Sequence, residues 1–283
     1  MRHIQHPGTA AAQRNTVVDA KVQACSLQLQ PGRTLLTALT EALSHLGANS
    51  AVLTLAEGRL FPFAHVMPAL SRTPSHAVYF SDRFDAQSAV RLEFATITYG
   101  LRDSLPWLHC HAAWTDAAGA PHSGHLLPDE STLTTPMQAQ AWLLEGAAFE
   151  VVPDKETRFT LFKPVPTRLL PASSPALAIR LAPNEDVCFA LESICRERGI
   201  RRACIRGGVG STVGAVFDDG RQVEAFVTET LVRHGRVHPG PDGQPLAEID
   251  VSMVDHLGGQ ASGRLARGAN PVLVTFEMVL EPY

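Results

Sequence analysis

An internal repeat constrains the fold of this chain more than any other feature of its 283 residues. A shift of 139 positions lays residues 108–126 on residues 247–265 without a gap. Gly119 then falls on Gly258, and each glycine marks a turn between two apolar segments. A module that occurs twice must bury two similar cores, so we expect two domains of the same fold.

A second stretch of the repeat predicts a helix followed by a strand in each half. A shift of 152 positions places Pro31 on Pro183 and residues 35–46 on residues 187–198. In both copies a proline turn precedes an amphipathic run, a glycine ends it and an apolar segment follows. We therefore expect an α-helix in each run. The apolar segments, expected as strands, are residues 51–55 and 203–206.

The remainder of each half predicts β-strands, because short apolar or alternating segments lie between turn residues. In the first half these segments are residues 76–80, 91–99, 106–114, 124–127 and 147–152, and in the second half 213–217, 223–232, 247–254 and 271–280. Matching Glu150 with Glu277 needs a shift of 127 instead of 139. The first copy would then hold 12 additional residues within 128–148, where residues 137–144 are a candidate short helix.

Four prolines between residues 163 and 176 mark the boundary between the halves. Proline suits neither a helix interior nor a central strand, so this segment predicts a stiff linker. The first 18 residues have no acidic side chain and no apolar run, which predicts a flexible arm and not a secretory signal. The expected divisions are an arm over 1–24, a first domain over 25–163, a linker over 164–176 and a second domain over 177–283.

Composition and charge narrow the class of protein. A hydrophobic content of 45% with 18% charged residues is typical of soluble globular proteins, and no apolar run approaches the length that spans a bilayer. The net charge of −4 provides no general attraction to nucleic acids or anionic membranes. Five scattered cysteines without a Cys-x-x-Cys pair are typical of reduced thiols, so we expect a cytoplasmic protein without membrane contact.

Three histidines of the first copy have no counterpart in the second. Alternation along a strand places His109 and His111 on one face. A hairpin centred near residue 118 pairs position 111 with position 125, so His125 joins them from the neighbouring strand. Imidazole suits zinc and other late first-row ions, and three histidines leave a coordination position open. We predict that these three histidines bind a divalent metal, with zinc as a candidate, or a small ligand. The alternative is that they are hydrogen-bonded core or interface histidines.

The second copy is polar at the same positions but carries charges instead of imidazoles. Glu248, Asp250 and Arg264 stand where the three histidines lie in the first copy. Asp250 and Arg264 should face each other in the equivalent hairpin. An ion pair satisfies such a site without a metal, so we expect this copy to have lost the binding function.

A glycine-rich stretch over residues 207–214 invites comparison with a nucleotide-binding loop. A loop of that kind needs a helix directly after its glycines, or a P-loop lysine. The residues that follow, 213–217, are strand-like, and the sequence has no P-loop lysine. We therefore predict a tight turn between strands here, and no phosphate site.

Together these motifs resemble the plants-and-prokaryotes conserved domain, called PPC or PCC. The first half supplies Pro31-Gly32-Arg33-Thr34-Leu35, Leu108-His109-Cys110-His111 and Ser123-Gly124-His125-Leu126, and the second half supplies Gly208-Val209-Gly210-Ser211, Gly263-Arg264-Leu265 and Thr275-Phe276-Glu277. The resemblance implies an α+β fold in each half, with an antiparallel sheet of about seven strands and flanking helices. It also implies assembly as a trimer.

Plant members of that family join the domain to AT-hooks, the basic arms that bind the minor groove, and prokaryotic members are often labelled DNA-binding proteins. The Arg-Gly-Arg-Pro core of an AT-hook does not occur in this sequence, so direct DNA binding loses its usual physical basis. We predict a self-associating protein, a homotrimer, with a metal or small-ligand site and a protein or small molecule as partner. The alternatives are a metal-dependent enzyme on a small molecule, with Glu150 or Asp116 as base, and a transcription-associated DNA-binding protein.

Overall fold

The first half of the chain is built from one helix and twelve strands. The computed structural model describes residues 2–170, which we call the first half, and residues 176–283, the second half. The helix α1 spans Leu35–His45. The strands are β1 (Thr16–Leu29), β2 (Ala51–Leu60), β3 (Ala64–Val66), β4 (Pro68–Leu70), β5 (Val78–Phe80), β6 (Phe84–Asp85), β7 (Val90–Arg102), β8 (Leu105–Thr115), β9 (Pro121–Leu126), β10 (Met137–Glu145), β11 (Ala147–Pro153) and β12 (Thr160–Pro166).

The second half is simpler, with one helix and six strands among its described residues. The helix α2 spans Val187–Glu197. The strands are β13 (Ala176–Leu181), β14 (Ala203–Val216), β15 (Gln222–Pro239), β16 (Pro245–Asp255), β17 (Gln260–Arg264) and β18 (Val272–Pro282).

Both halves share one strand order. It is β1-β10-β2-β7-β8-β9 in the first half and β13-β18-β14-β15-β16-β17 in the second. Antiparallel pairing of β1 with β13 joins them into one large sheet, while β4 and β5 form a separate small sheet. The fold is therefore β-rich. Our expectation of an α+β class with flanking helices overestimated the helical content of the chain. The residues after each helix run in antiparallel hairpins, which need no helical crossover.

Each helix begins at a capping residue and buries one face, as the repeat predicted. The Thr34 side chain accepts a hydrogen bond from the Thr37 N–H at 3.2 Å, and Asp186 accepts one from the Phe189 N–H at 2.9 Å. Both helices end within one residue of the predicted bounds. Their buried positions recur at helical spacing and are Leu35, Ala38, Leu39 and Leu43 in α1, and Val187, Cys188, Ala190, Leu191, Glu192, Ile194 and Cys195 in α2.

The candidate helix over residues 137–144 was wrong, because this segment is the strand β10. It pairs antiparallel with β1 on one side and with β2 on the other. In the second half β18 holds the same place between β13 and β14. The shift of 139 thus continues through these strands, with Ala139 opposite Leu27 as Met278 is opposite Ile179. Matching Glu150 with Glu277 was wrong, since Glu150 lies in the separate hairpin β11–β12.

The expected flexible arm differs from the structure. Residues 16–24 belong to β1, which pairs with β13 through Thr16–Ala20 and with β10 through Lys21–Leu29. Upstream, His6 is buried and its Nε2 lies 2.7 Å from the Leu273 carbonyl oxygen. An arm can be free only where its backbone and side chains lack partners, and these residues have them.

The first residues of the predicted proline-rich linker, 164–166, belong to the strand β12. Pro164 lies inside β12, which pairs only with β11 and is therefore an edge strand, where proline is tolerated. The part of the predicted linker over residues 171–175 lies outside the described residues.

The glycine-rich stretch is not a turn but an irregular part of β14 that packs on the first half. The register of β14 shifts between Arg206 and Val209. Gly207 has a φ of +67°, and a Cβ there would stand 2.7 Å from the Val52 Cβ. The Thr96 hydroxyl donates to the Gly208 carbonyl at 3.1 Å. The glycines thus allow β14 to approach β2 and β7 closely. These glycines pack against the first half, whereas those of a phosphate-binding loop would leave room for a ligand.

The described helices include none that is long and apolar enough to cross a membrane. Three of the five free cysteines, Cys110, Cys188 and Cys195, are buried in the hydrophobic cores. Burial raises the pKa of the Cys195 thiol to about 12. These thiols therefore pack as small apolar side chains.

Candidate metal centre

A tight hairpin brings the three histidines of the first half together, as the sequence predicted. His111 stands directly opposite His125 in the pairing of β8 with β9. The connecting turn is fixed by the Asp116 side chain, which accepts from the backbone N–H groups of Ala118 and Ala120 at 2.9 Å each. Gly119 has a φ of +81°, the conformation that this turn requires. Local turn chemistry therefore sets the register that aligns the imidazoles.

The three imidazoles converge on one point. The Nε2 atoms of His109 and His111 lie 3.2 Å apart. The His125 ring centroid lies 5.0 Å from that of His109 and 5.3 Å from that of His111. One nitrogen from each of the three lies within 4.8 Å of the others, so the cluster could hold a metal ion.

The second half fixes the orientation of two of these rings. The Glu277 carboxylate lies 3.0 Å from His109 Nδ1, and the Thr230 carbonyl oxygen lies 3.0 Å from His111 Nδ1. In both rings Nδ1 is thereby the donor and Nε2 is left to face the cluster. Metal-binding histidines commonly show this arrangement, in which an oxygen acceptor holds the other ring nitrogen.

Glu229, also from the second half, completes the polar wall of the cluster. Its Oε1 lies 3.9 Å from His111 Nε2 and 3.9 Å from His125 Nδ1. The His125 Nδ1 and the Glu229 Oε2 are buried, and neither has a hydrogen-bond partner. Buried polar atoms without partners are rare, and a metal ion is one of the groups that satisfies them. The donor set of the residues present thus fits a divalent metal.

Burial controls the charge state of this cluster. Burial lowers the pKa of His111 well below its usual value, and the neighbouring His109 and His125 lower it further. Burial, with His109 beside it, also lowers the pKa of His125 well below 6.5. The same burial raises the pKa of Glu229, against the opposing hydrogen bond from the His125 backbone N–H. His111 and His125 are therefore neutral at neutral pH, which is the form that binds metals.

The histidines line a cavity of about 320 Å³ between the two halves. One wall carries three aromatic side chains that pack on one another, Tyr79, Phe80 and Phe159. The edge of Phe80 meets the His125 ring with a centroid distance of 5.1 Å. Tyr79 and Phe80 belong to the small β4–β5 sheet and are 49% and 38% exposed, so apolar surface faces the opening. Such a cavity has the character of a small-molecule site.

The other predicted residues lie outside this cavity. Asp116 is in the β8–β9 turn and its carboxylate lies 3.1 Å from His122 Nε2. Glu150 lies in β11 opposite Lys163 and does not line the cavity. Neither can act as a base at the histidine cluster. Glu229, Thr230 and Glu277 were missed, because nothing in the sequence shows which part of the second half packs on β8.

The equivalent position of the second half holds the predicted ion pair. Asp250 and Arg264 are opposite each other in the pairing of β16 with β17, with 3.0 Å between Arg264 Nε and Asp250 Oδ1. Glu248 lies 3.4 Å from the same guanidinium. These charges satisfy one another, as the sequence predicted for a copy without imidazoles.

The second half of the chain matches a known domain family. Residues 172–283 match the family model of the Plants and Prokaryotes Conserved (PCC) domain. A plant- and prokaryote-conserved protein from Pyrococcus horikoshii is similar in structure at 16% identity and a TM-score of 0.42, covering 53% of this chain and 96% of that one. A metal-containing protein from Archaeoglobus fulgidus is similar at 18% identity and a TM-score of 0.40, covering 58% of this chain and 99% of that one.

A comparison with curated proteins found no match. The family match lies in the half that lacks the histidines, while the resemblance of the first half rests on the motifs quoted above. The likeness to the Plants and Prokaryotes Conserved family is thus shown for residues 172–283 of this chain.

Proposed function

We propose that this protein binds one divalent metal ion, with zinc as the leading candidate, through His109, His111 and His125. The observation that carries the proposal is the convergence of these imidazoles beside two buried polar atoms without partners. Nitrogen ligands at about 2.0 Å from a tetrahedral zinc ion lie about 3.3 Å apart. The two Nε2 atoms of His109 and His111 are already 3.2 Å apart.

The two halves have separate roles in this site. The first half supplies the imidazoles, and the second half supplies the oxygens that orient them and the buried carboxyl group of Glu229 nearby. A zinc ion held by His109, His111 and His125 would supply Lewis-acid chemistry in the cavity. We therefore propose a metal-dependent small-molecule site that needs both halves of the chain.

Elemental analysis of protein purified without a histidine tag tests the metal site. We expect about one metal ion per chain in the parent protein and a loss of that metal in His111→Ala and His125→Ala. His122→Ala is the matched control, because His122 is solvent-facing, bound to Asp116 and outside the cluster. Unchanged metal content in both cluster variants would show that these are structural histidines.

An enzymatic role is the second candidate, and Glu229 favours it. It is a buried carboxylate at the histidine cluster, where a base could take a proton from a bound molecule. A screen with 4-nitrophenyl acetate and 4-nitrophenyl phosphate tests this role. Enzymatic turnover should depend on added zinc and disappear in Glu229→Gln. Turnover that survives this substitution would exclude Glu229 as the base.

We also propose that the chain self-associates, as a homotrimer in the cytoplasm. The resemblance of the chain to the plants-and-prokaryotes conserved domain, which implies a trimer, supports this proposal. Light scattering tests the assembly, since a trimer has three times the chain mass of 30.5 kDa. A mass of one chain at micromolar concentration would contradict it.

The shared strand order supports descent of the two halves from one duplicated module. The shift of 139 runs unbroken from the histidine hairpin through β10, so the correspondence covers consecutive strands and not one motif. We propose that the first copy kept the binding residues and that the second became the wall that holds them.

A further inference from the structure

We propose that the cavity binds a small carboxylic acid, whose carboxylate pairs with Arg102 while its apolar body extends along the aromatic wall toward the histidine cluster. The inference deepens the proposed function and rests on it, because the metal would occupy the other end of the same cavity.

Arg102 is the cation of this cavity that lacks a partner. No other lysine or arginine lines the described cavity wall, and the ion pairs of the described residues do not include Arg102. Its guanidinium lies 4.4 Å from the centroid of the Trp107 ring, which holds the charge at the wall. A guanidinium fixed in this way presents its N–H groups to a carboxylate with little further ordering.

The spacing along β8 sets the length of the ligand. Trp107, His109 and His111 project from one face of this strand, since side chains two residues apart share a face. One such step is about 6.8 Å in an antiparallel strand. A molecule that reaches from Arg102, over Trp107, to His109 therefore needs an apolar body of roughly 7 Å, about the length of a six-carbon chain.

Most of the remaining wall is apolar, and its polar residues are Thr160, Ser211, Thr228 and Thr275. Tyr79, Phe80 and Phe159 line the cavity, as do Val227 and Leu273. Glu277 is engaged by His109 at 3.0 Å, and Glu229 lies at the cluster end, away from Arg102. A positive charge at one end, an apolar middle and a metal site at the other end select an acid over an amine or a sugar.

Calorimetric titration of the zinc-loaded protein with hexanoate, hexanamide and hexylamine tests this inference. Hexanoate should bind at least about tenfold more tightly than hexanamide, because an ionic hydrogen bond contributes that much, and hexylamine should bind least. Arg102→Gln should abolish the advantage of hexanoate. Arg233→Gln is the matched control, since this guanidinium lies 4.6 Å from the Phe94 ring but outside the cavity, and it should leave binding unchanged.

Metal content measured on the same samples separates the two proposals. If zinc binds but hexanoate and hexanamide bind equally, or Arg102→Gln leaves the preference intact, the inference is overturned while the metal site stands. If zinc fails to bind but hexanoate binds in an Arg102-dependent manner, the metal proposal fails and the carboxylate site stands. A thermal unfolding profile of Arg102→Gln matching that of Arg233→Gln excludes misfolding as the cause of lost binding.

Discussion

Substituting Glu277 by glutamine should weaken metal binding even though Glu277 is not itself a ligand in the proposed site. Its carboxylate is completely buried and lies 3.0 Å from His109 Nδ1, so it fixes the ring with Nε2 facing the cluster. Glutamine keeps the shape and one oxygen acceptor but removes the charge. Substitutions of such outer partners typically lower metal affinity by 10–100-fold, which corresponds to about 1.4–2.7 kcal/mol.

Competition with a chromophoric zinc chelator measures this change directly. Glu281→Gln is the control, because it makes the same chemical change in the same strand β18, where the carboxylate pairs with Arg206 and not with a histidine. We expect the control to bind zinc like the parent protein. If Glu277→Gln binds zinc as tightly as Glu281→Gln, the Glu277 carboxylate does not contribute to metal affinity.

Four further predictions test the electrostatics and packing of the chain. Without metal, the free energy of unfolding should fall as pH drops below about 6.5. The fall should reach up to ~1.4 kcal/mol per pH unit for each of His111 and His125. Burial lowers the folded-state pKa of each of these histidines, so the unfolded chain binds more protons in this range. The raised pKa of Glu229 acts with the opposite sign, so urea unfolding at several pH values should give a steeper loss for Glu229→Gln. Gly207→Ala should lower the free energy of unfolding by about 1–3 kcal/mol more than Gly220→Ala, as measured by chemical denaturation. Both glycines have positive φ, but only at Gly207 would an added Cβ clash with a neighbouring side chain, that of Val52. Asp250→Asn should cost less than about 1 kcal/mol in the same assay, as its ion pair is partly exposed. Duplex DNA binding, measured by fluorescence anisotropy, should be weak at all salt concentrations, and a steep salt dependence would contradict this expectation.

The histidine cluster could be predicted because its geometry is local. A turn signature at residues 116–119 fixes the hairpin register, and the register alone places position 111 opposite position 125. The partners of these rings could not be predicted in the same way. Glu277 is 168 residues from His109, and only the packing of one sheet layer on another brings them together. A single sequence contains no signal of that packing.

The strand β10 shows how tertiary context overrides local preference. Its sequence, Met-Gln-Ala-Gln-Ala-Trp-Leu-Leu-Glu, consists largely of good helix formers, and residues 137–144 were expected as a short helix. In the structure it lies between β1 and β2, with Met137, Ala139 and Ala141 buried on one face. Two neighbouring strands satisfy its backbone on both sides, and that outweighs a few tenths of a kcal/mol per residue in helix propensity.

The strand β1 has a consequence for how the gene can be divided. Its first residues cover the edge of β13, and its later residues pair with β10. A fragment that starts after the proline-rich segment would leave the fully buried strand β13 as a bare apolar edge. We expect such a fragment to aggregate when produced alone and to become soluble when the first half is co-expressed. The strand β1 therefore joins the two halves, and removing the first half would expose the edge of β13 to solvent.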